Sequence, residues 1–389
     1  MVAMQPGVSS FAVVGLVAAA VTWLLVPAAN RLAVRTGAVA APDERRIHET
    51  PTPTLGGMAM LAGFVVAMLV AWVMGGFESM FAERGPILGI VGAAIVMYAV
   101  GCIDDLVEIS APAKLAGIVL AGGVLSLTGV SIVYFRVPFA GFLVLSPDWS
   151  ALITVLWVIG MANATNLVDG LDGLAAGILA IGAGAFYVYT VQLDGNDLLR
   201  VGNPSPLIAV IVVGVCVGFL PHNFHPAKVF MGDGGALLLG LLMAATTISV
   251  GGRTRDQFSG QTYFFFAPLF IPLVILGVPM IDTLFAIVRR ARSRTGVATA
   301  DKGHLHHRLM KLGHGQRRSV LILWAWTALL SFVALFPTIT GQGDGLVLLA
   351  LLVLALLLYT YFHPGVRKRR RGEGREQGSG TPPTEVADA

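Results

Sequence analysis

Polar side chains recur at steps of three inside an otherwise apolar stretch, residues 163–177, which spells NATNLVDGLDGLAAG. They are Asn163, Asn166, Asp169 and Asp172. Side chains three apart on a helix lie on one face, about 4.5 Å apart along the axis. Two carboxylates that close repel each other unless a cation, a donor or a proton intervenes. The spacing predicts a ladder of oxygen ligands at a membrane boundary; the alternative is a polar helix cap in which Gly170 and Gly173 form a turn.

Two further segments place acids at the ends of apolar runs. Asp104 and Asp105 end one run, and Lys114 begins the next, where it can neutralise an acid or approach a phosphate. Because adjacent residues on a helix do not share a face, we expect one of the two aspartates to face a cavity and the other to cap or pair structurally. Asp233 lies in a glycine-rich turn, GDGG, where free backbone N–H groups favour anions. An acid at that place, with a phosphate nearby, requires a cation.

Basic and hydroxyl side chains in two other segments could bind phosphate. In the segment 42–57, PDERRIHETPTPTLGG, the candidates are Arg45, His48 and Thr52. In the segment 301–314, DKGHLHHRLMKLGH, they are His304, His306, His307 and Arg308. These histidines lack the i, i+4 spacing of a helical zinc pair, so hydrogen bonding to a diphosphate or a sugar is the favoured interpretation. For the first segment, an ordinary basic loop remains the alternative.

The elements that must position these residues are membrane helices. The 389-residue sequence is 56% hydrophobic and 12% charged, whereas a soluble domain is about one quarter charged. Apolar runs long enough to cross about 30 Å of hydrocarbon occur at 9–32, 57–75, 86–103, 113–129, 150–167, 172–193, 206–222, 234–250, 263–288, 318–337 and 345–363. We therefore expect an all-α polytopic membrane protein with about eleven transmembrane helices over residues 1–363, followed by a basic, disordered cytoplasmic tail over 364–389.

The distribution of basic residues predicts how this bundle is oriented. With the N-terminus outside, 21 of the 26 Lys and Arg residues fall in inner segments and five in outer ones. The positive-inside rule then places the C-terminus and all the polar motifs on the cytoplasmic face. The basic charge belongs to membrane loops, so no nucleic-acid partner is expected. One outer segment, 131–145, alternates around a Pro-Phe-Ala-Gly bend and predicts a short hairpin.

These residue types together predict a reaction class. Hard oxygen ligands favour Mg²⁺ or Mn²⁺ over zinc, and the surrounding basic and imidazole groups favour a phosphorylated substrate. Apolar helices beside the site leave room for a lipid tail. The sequence thus predicts metal-assisted phosphoryl transfer at the inner membrane face. An ion-coupled transporter is the alternative from another class, disfavoured because the acids gather at one face and no internal repeat is present.

Five motifs in this order resemble the polyprenyl-phosphate N-acetylhexosamine-1-phosphate transferases. They are HETPTPTLGG, GCIDDL with the later Lys114, NATNLVDGLDGLAAG, FHPAKVFMGDGGALLLG and HLHHRL, and they span about residues 42–310. The resemblance implies that a polyprenyl phosphate attacks the sugar-bearing phosphate of a UDP-N-acetylhexosamine and releases UMP. A polyprenyl diphosphate sugar is left.

The same resemblance favours one donor sugar. The branch that uses UDP-MurNAc-pentapeptide carries three successive histidines and then an acid, whereas this chain has His304-Leu305-His306-His307-Arg308. The departure favours the bacterial branch that transfers GlcNAc-1-phosphate from UDP-GlcNAc to undecaprenyl or decaprenyl phosphate, the first lipid-linked step of cell-wall polymer synthesis. Sister enzymes that use UDP-MurNAc-pentapeptide or UDP-GalNAc remain alternatives.

The resemblance also implies roles for individual residues. Those with implied catalytic roles are Asp104, Asp105, Lys114, Asp169, Asp172 and Asp233. Those implied as ligands of Mg²⁺ or Mn²⁺ are Asp233, Asp104 and Asp169. Those implied to bind substrate are Arg45, His48, Thr52, Asn166, His304, His306, His307 and Arg308.

The remaining expectations concern mechanism, partners and location. The expected partners are UDP-GlcNAc, a polyprenyl phosphate and the lipids of the bacterial inner membrane, with a homodimer left open. A phosphate monoester has a second pKa of about 6 and is mostly dianionic at neutral pH. We therefore expect direct displacement by the lipid phosphate rather than a covalent aspartyl-phosphate route.

Overall fold

The computed structural model describes residues 6–40, 51–137, 141–195, 199–251, 309–310 and 314–340. Its helices are α1 (Val8–Thr36), α2 (Gly56–Val73), α3 (Glu78–Phe81), α4 (Arg84–Val107), α5 (Ala111–Leu127), α6 (Pro147–Val168), α7 (Leu174–Gly195), α8 (Ser205–Asn223), α9 (Gly232–Gly251) and α10 (Gln316–Thr340). Its strands are β1 (Val39–Ala40), β2 (Thr52–Pro53), β3 (Tyr134–Val137) and β4 (Gly141–Val144).

The helices are those of a polytopic membrane protein. Seven helices in the described ranges, α1, α2, α4, α6, α7, α8 and α9, are long and apolar enough to cross a membrane. The helix α5 is apolar but shorter, with 17 residues. The first eight predicted spans and the tenth coincide with helices to within about four residues at each end. The ninth and eleventh, at 263–288 and 345–363, lie outside the described residues, so the total of eleven stays a prediction.

Two short antiparallel sheets interrupt the helices. The strands β3 and β4 pair from Tyr134–Val144 to Val137–Gly141, which confirms the hairpin predicted at 131–145. The strands β1 and β2 form a second, two-residue ladder, which the sequence did not predict. It joins the chain before the segment 41–50 to the chain after it.

The helix α9 is at the centre of the bundle. It packs against α2, α4, α6 and α8, and its side chains are almost wholly buried. By contrast, large apolar side chains such as Leu24, Trp72 and Leu127 are exposed on the outer helices. This distribution suits a bundle whose perimeter faces lipid and whose centre packs helix against helix.

The first turn of α9 is held by close backbone contacts with α2 and α4. A Cβ atom at Gly57 would lie 2.3 Å from the backbone nitrogen of Gly235, and one at Gly101 would lie 2.5 Å from the backbone carbonyl of Asp233. Only glycine permits helices to approach this closely. The position of Asp233 therefore depends on glycines in two other helices.

We expect Gly57→Ala to destabilise the protein. Its methyl group would force α2 and α9 apart, and overpacking of this kind costs about 1–3 kcal/mol. The measurement is the thermal unfolding midpoint of the purified protein in detergent. Gly160→Ala is the matched control, because Gly160 lies within α6 with open space around its Cα. An unchanged midpoint for Gly57→Ala would contradict the close packing.

The helix α10 is anchored on α7. Among the residues that the structure places, Trp324 fills the space beside Gly177, where a Cβ atom would lie 1.9 Å from its ring. Its indole N–H donates to the carbonyl of Leu174 at 3.4 Å, and its ring centroid lies 5.9 Å from that of Phe224. The first half of α10 is thereby joined to the N-terminal turn of α7.

Candidate active site

A lysine joins aspartates from two helices at one end of the bundle. The ammonium of Lys114 lies 2.9 Å from Oδ2 of Asp104 and forms a second ion pair with Asp233. The three side chains come from α5, α4 and α9, and all are mostly buried. The sequence prediction that Lys114 neutralises an acid is confirmed, and it neutralises two.

The turn between α4 and α5 brings Lys114 back towards Asp104. Glu108 ends α4 in the left-handed region, with φ of 50°, and its N–H donates to the carbonyl of Asp104 at 3.0 Å. The N–H of Ile109 donates to Oδ1 of Asp104 at 2.9 Å. Asp104 therefore closes the turn with one oxygen and binds Lys114 with the other.

Asp105 has a different task from its neighbour. Its Oδ1 accepts the N–H of Asp233 at 2.9 Å, and its Oδ2 accepts the N–H of Gly234 at 3.1 Å. The first N–H groups of a helix have no partner within the helix, and a carboxylate there is favoured by the helix dipole. Asp105 thus caps α9 from α4, which is the division of tasks expected for adjacent aspartates.

We expect Asp105→Asn to lower stability more than Asp104→Asn does. An amide can accept with only one atom, so one N–H of α9 loses its charged acceptor, at a cost of about 1.5–3 kcal/mol. Asp104→Asn keeps an oxygen for Ile109 and leaves Lys114 paired with Asp233. Thermal unfolding midpoints of the two variants measure the difference. Equal midpoints would contradict the capping role of Asp105.

The chain reverses between α6 and α7, and this corrects the predicted ladder. The helix α6 ends at Val168, and Asp169 and Asp172 lie in the turn that follows, in which Gly173 adopts a φ of 75°. The amide of Asn163 donates to the carbonyl of Ile159 within α6 at 2.8 Å. A continuous helical ladder of four rungs is therefore wrong, because the chain turns after the second rung. The alternative of a turn at the two glycines is confirmed.

Asp169 lies close to the acid–lysine cluster. Burial, together with the negative charges of Asp233, Asp105 and Asp172, raises the pKa of its carboxyl group to about 8. The turn therefore faces the start of α9 and the end of α4. Acids from three separate segments converge at one end of the bundle.

Asp172 points from the same turn towards the loop between α8 and α9. Its side chain is buried, and its Oδ2 accepts from Nδ1 of His225 at 2.7 Å and from the N–H of Ala227 at 3.0 Å. Asn223 adds a second connection, since its Oδ1 accepts the N–H of Gly173 at 3.0 Å. Of the residues in the segment 222–240, only Asp233 was predicted from the sequence to be a site residue. His225 and Asn223 were missed.

The chain between α1 and α2 is joined to the same α8–α9 loop. The N–H of Phe230 donates to the carbonyl of Pro53 at 2.8 Å, and the N–H groups of Gly56 and Gly57 donate to the carbonyls of Phe230 and Met231 at 3.0 and 2.9 Å. These bonds bring the end of the motif HETPTPTLGG, residues 53–57, beside the GDGG turn at the start of α9. The structure therefore places four of the five predicted motifs at one end of the bundle.

The predicted substrate contacts divide into two groups. Thr52 is buried and pairs with Ala40 in the β1–β2 ladder, and Asn166 is half-buried in the last turn of α6. The others lie outside the described residues and stay predictions: Arg45, His48, His304, His306, His307 and Arg308.

The chemistry of the cluster suits a hard cation only in part. In the described part of the chain, no group of three or more His, Cys, Asp or Glu side chains is arranged to hold a metal ion. Among the described residues, four carboxyl groups, those of Asp104, Asp105, Asp169 and Asp233, nevertheless outnumber the ammonium of Lys114 beside them. Mg²⁺ commonly uses one or two carboxylates together with substrate phosphates and water. The donor set fits a cation that the substrate helps to hold, and it does not fit a preformed cage.

Comparison with known proteins finds one matching family profile and several similar proteins. Residues 87–251 match the profile of glycosyl transferase family 4. The decaprenyl-phosphate N-acetylglucosaminephosphotransferase of Mycobacterium tuberculosis (strain ATCC 25618 / H37Rv) is 41% identical over 330 residues, which cover 83% of this chain and 81% of the relative.

Two further relatives carry names from two branches. The "Probable undecaprenyl-phosphate N-acetylglucosaminyl 1-phosphate transferase" of Bacillus subtilis (strain 168) is 35% identical over 77% of this chain and 77% of its own length. The phospho-N-acetylmuramoyl-pentapeptide-transferase of Desulforudis audaxviator (strain MP104C) is 33% identical over 80% of this chain and 92% of its own length. The resemblance found in the motifs is confirmed: the chain belongs to glycosyl transferase family 4, among the polyprenyl-phosphate N-acetylhexosamine-1-phosphate transferases.

Proposed function

We propose that this protein transfers GlcNAc-1-phosphate from UDP-GlcNAc to undecaprenyl or decaprenyl phosphate, forming polyprenyl-diphosphate-GlcNAc and UMP. The observation that carries the proposal is the convergence of Asp104, Lys114 and Asp233 with the Asp169 turn. The cluster is assembled from three helices and a turn in a chain that belongs to this transferase family. Family membership speaks against the ion-coupled transporter.

The choice of GlcNAc rests on two independent observations. The relatives named for N-acetylglucosamine transfer are 41% and 35% identical to this chain, whereas those named for the muramoyl-pentapeptide are 33% and 26% identical. The segment HLHHRL departs from the histidine pattern of the muramoyl branch in the same direction.

We also propose that Mg²⁺, or Mn²⁺ in its place, binds with the donor diphosphate. The support is electrostatic: a diphosphate beside Asp233 and an ionised Asp169 would be repelled without a cation. Burial and the negative charges around it raise the pKa of Asp169, and a cation bound among those charges would favour its ionised form. Asp233 and Asp169 are the proposed ligands, with Asp104 beside them. When bound, the cation would stabilise negative charge on the reacting phosphates.

The residues of the chain then have to position the two phosphates rather than create a strong base. The lipid phosphate is already mostly dianionic at neutral pH. One of its oxygens forms a bond to the sugar-bearing phosphorus, while the bond from that phosphorus to the bridging oxygen breaks and UMP leaves with the electron pair. Lys114, held between Asp104 and Asp233, is placed to offset charge as this happens.

We propose that the cluster lies on the cytoplasmic face, in a bundle of eleven spans over residues 1–363 with a cytoplasmic tail over 364–389. The support is the charge asymmetry of the sequence. Val107 and Val201 are both exposed, at opposite ends of the bundle. In intact cells, an impermeant thiol reagent should label Val201→Cys and leave Val107→Cys unlabelled. The reverse pattern would overturn the orientation.

The proposed reaction is tested directly with membranes that contain the protein. Incubation with labelled UDP-GlcNAc, polyprenyl phosphate and Mg²⁺ should release UMP and produce a labelled lipid, while UDP-MurNAc-pentapeptide and UDP-GalNAc should give neither product. Chelation of divalent cations should stop the reaction, and added Mg²⁺ should restore it. Turnover of UDP-MurNAc-pentapeptide instead would move the protein to the sister branch. A phosphorylated enzyme trapped with UDP-GlcNAc alone would contradict direct displacement.

A further inference from the structure

His225 and Asp172 form a pair that the reaction scheme above does not use. The carboxylate of Asp172 is buried, whereas the side chain of His225 is 35% exposed. Oδ2 of Asp172 also accepts the N–H of Ala227, and a carboxylate oxygen is an acceptor, so we assign the proton of the 2.7 Å contact to Nδ1 of His225. The other ring nitrogen, Nε2, is directed away from Asp172 by the geometry of the ring.

The pair connects two loops of the candidate site. Asp172 belongs to the turn 169–173, and His225 belongs to the loop 224–231 between α8 and α9. That loop ends at the GDGG turn, which carries Asp233. The pair therefore joins the turn 169–173 to the segment that leads into α9.

The bonds from Ala227 and Asn223 do not make His225 redundant. Ala227 donates to Asp172 from its backbone N–H, and Asn223 binds the backbone of Gly173 and Val229. His225 donates to Asp172 from a side chain, so a substitution can remove this contact and leave the backbone bond from Ala227 in place. Removing a donor from a buried carboxylate costs more free energy than removing one from a neutral acceptor, because hydrogen bonds to charged groups are stronger.

We propose that His225 is a positioning residue, which fixes Asp172 through Nδ1 so that the donor nucleotide meets a preformed turn at residues 169–173. The inference rests on the proposed function, in which Asp169 of this turn is a ligand of the cation that binds with the donor diphosphate. His225 acts through Asp172 and not by touching the reacting phosphates. Its loss should weaken binding of UDP-GlcNAc and leave the rate of the chemical step nearly unchanged.

Two amide substitutions separate this role from direct contact with substrate. The amide nitrogen of Asn overlays Nδ1 of histidine, whereas that of Gln overlays Nε2. We expect His225→Ala and His225→Gln to raise the KM for UDP-GlcNAc about tenfold, the effect of one lost hydrogen bond to a charged group. We expect His225→Asn to stay within about threefold of the wild type. In all three variants, kcat and the KM for polyprenyl phosphate should change by less than about twofold.

Coupling to Asp172 is tested by a double substitution. Asp172→Asn should raise the same KM, and adding His225→Ala to it should have little further effect, because residues that act through one contact are not additive. His222→Ala is the matched control. His222 lies three residues earlier in the chain, and its Nε2 lies 3.2 Å from the carbonyl of Trp23 on α1, away from Asp172.

Each result has a definite meaning. Rescue by Gln and not by Asn would overturn the proposal and show that Nε2 touches the substrate, and a lower kcat with an unchanged KM would also overturn it. If the wild type releases no UMP from UDP-GlcNAc, the proposed function fails, and thermal unfolding still decides on His225. In that measurement, the wild type and His225→Asn should unfold at higher temperature than His225→Ala and His225→Gln. Equal midpoints for all four would overturn the proposal.

Discussion

Asp233→Asn is expected to reduce the release of UMP by about three orders of magnitude and leave the protein folded. The substitution keeps the shape of the side chain but removes the charge that pairs with Lys114. It also removes one of the proposed cation ligands. Loss of one group that stabilises charge in a buried site typically costs a factor of about 100 to 1,000, and here two such interactions are lost together.

The matched control for this prediction is Asp148→Asn. Asp148 lies in the first turn of α6, exposed and at the opposite end of that helix from the acid turn. The same change of charge there should leave activity within about twofold of the wild type. Rates are measured with membranes that carry equal amounts of each variant. Substantial activity in Asp233→Asn, with unfolding midpoints unchanged in both variants, would exclude Asp233 from the reaction.

The sequence predicted the helices well because a membrane span must be a long apolar run. Because lipid and neighbouring helices are both apolar, a membrane helix needs no polar face. The length of the apolar run alone therefore locates α4, α8 and α9 to within about four residues at each end. The count of basic residues predicts the side of the membrane, and the labelling of Val201→Cys and Val107→Cys tests that prediction. Convergence of Asp104 and Asp233 was predicted from the motifs, since it follows once both are assigned to the same end of the bundle.

The contacts that fix the site could not be predicted in the same way. Asp105 caps α9 across 128 residues of sequence, and Gly57 and Gly101 matter because of what lies opposite them. Each of these facts depends on how helices pack, which periodicity does not encode. The step of three in NATNLVDGLDGL suggested a continuous helix, but the glycines turn the chain and direct Asp172 to His225. Local spacing described the composition of the site but not the direction of each side chain.

Lys114→Met carries the second large effect. Methionine keeps the length of the side chain and removes the charge, so Asp104 and Asp233 lose their common partner. We expect kcat/KM to fall by about 100-fold or more, because the charge opposite the reacting phosphates is lost. Removing one member of a buried ion pair also costs about 3–5 kcal/mol of stability. The lower end applies here, because these side chains are partly exposed.

Arg200→Met separates this effect from a general loss of charge. Arg200 forms an ion pair with Glu83 at the other end of the bundle, where both side chains are about half-exposed. An exposed pair contributes about 1 kcal/mol or less, so this variant should keep its activity and nearly all of its stability. Lys114 and a divalent cation would neutralise the same carboxylates. Added Mg²⁺ should therefore raise the unfolding midpoint of Lys114→Met more than that of the wild type or of Arg200→Met. Equal shifts in the three proteins would mean that the cation binds elsewhere, and they would separate Lys114 from the proposed metal site.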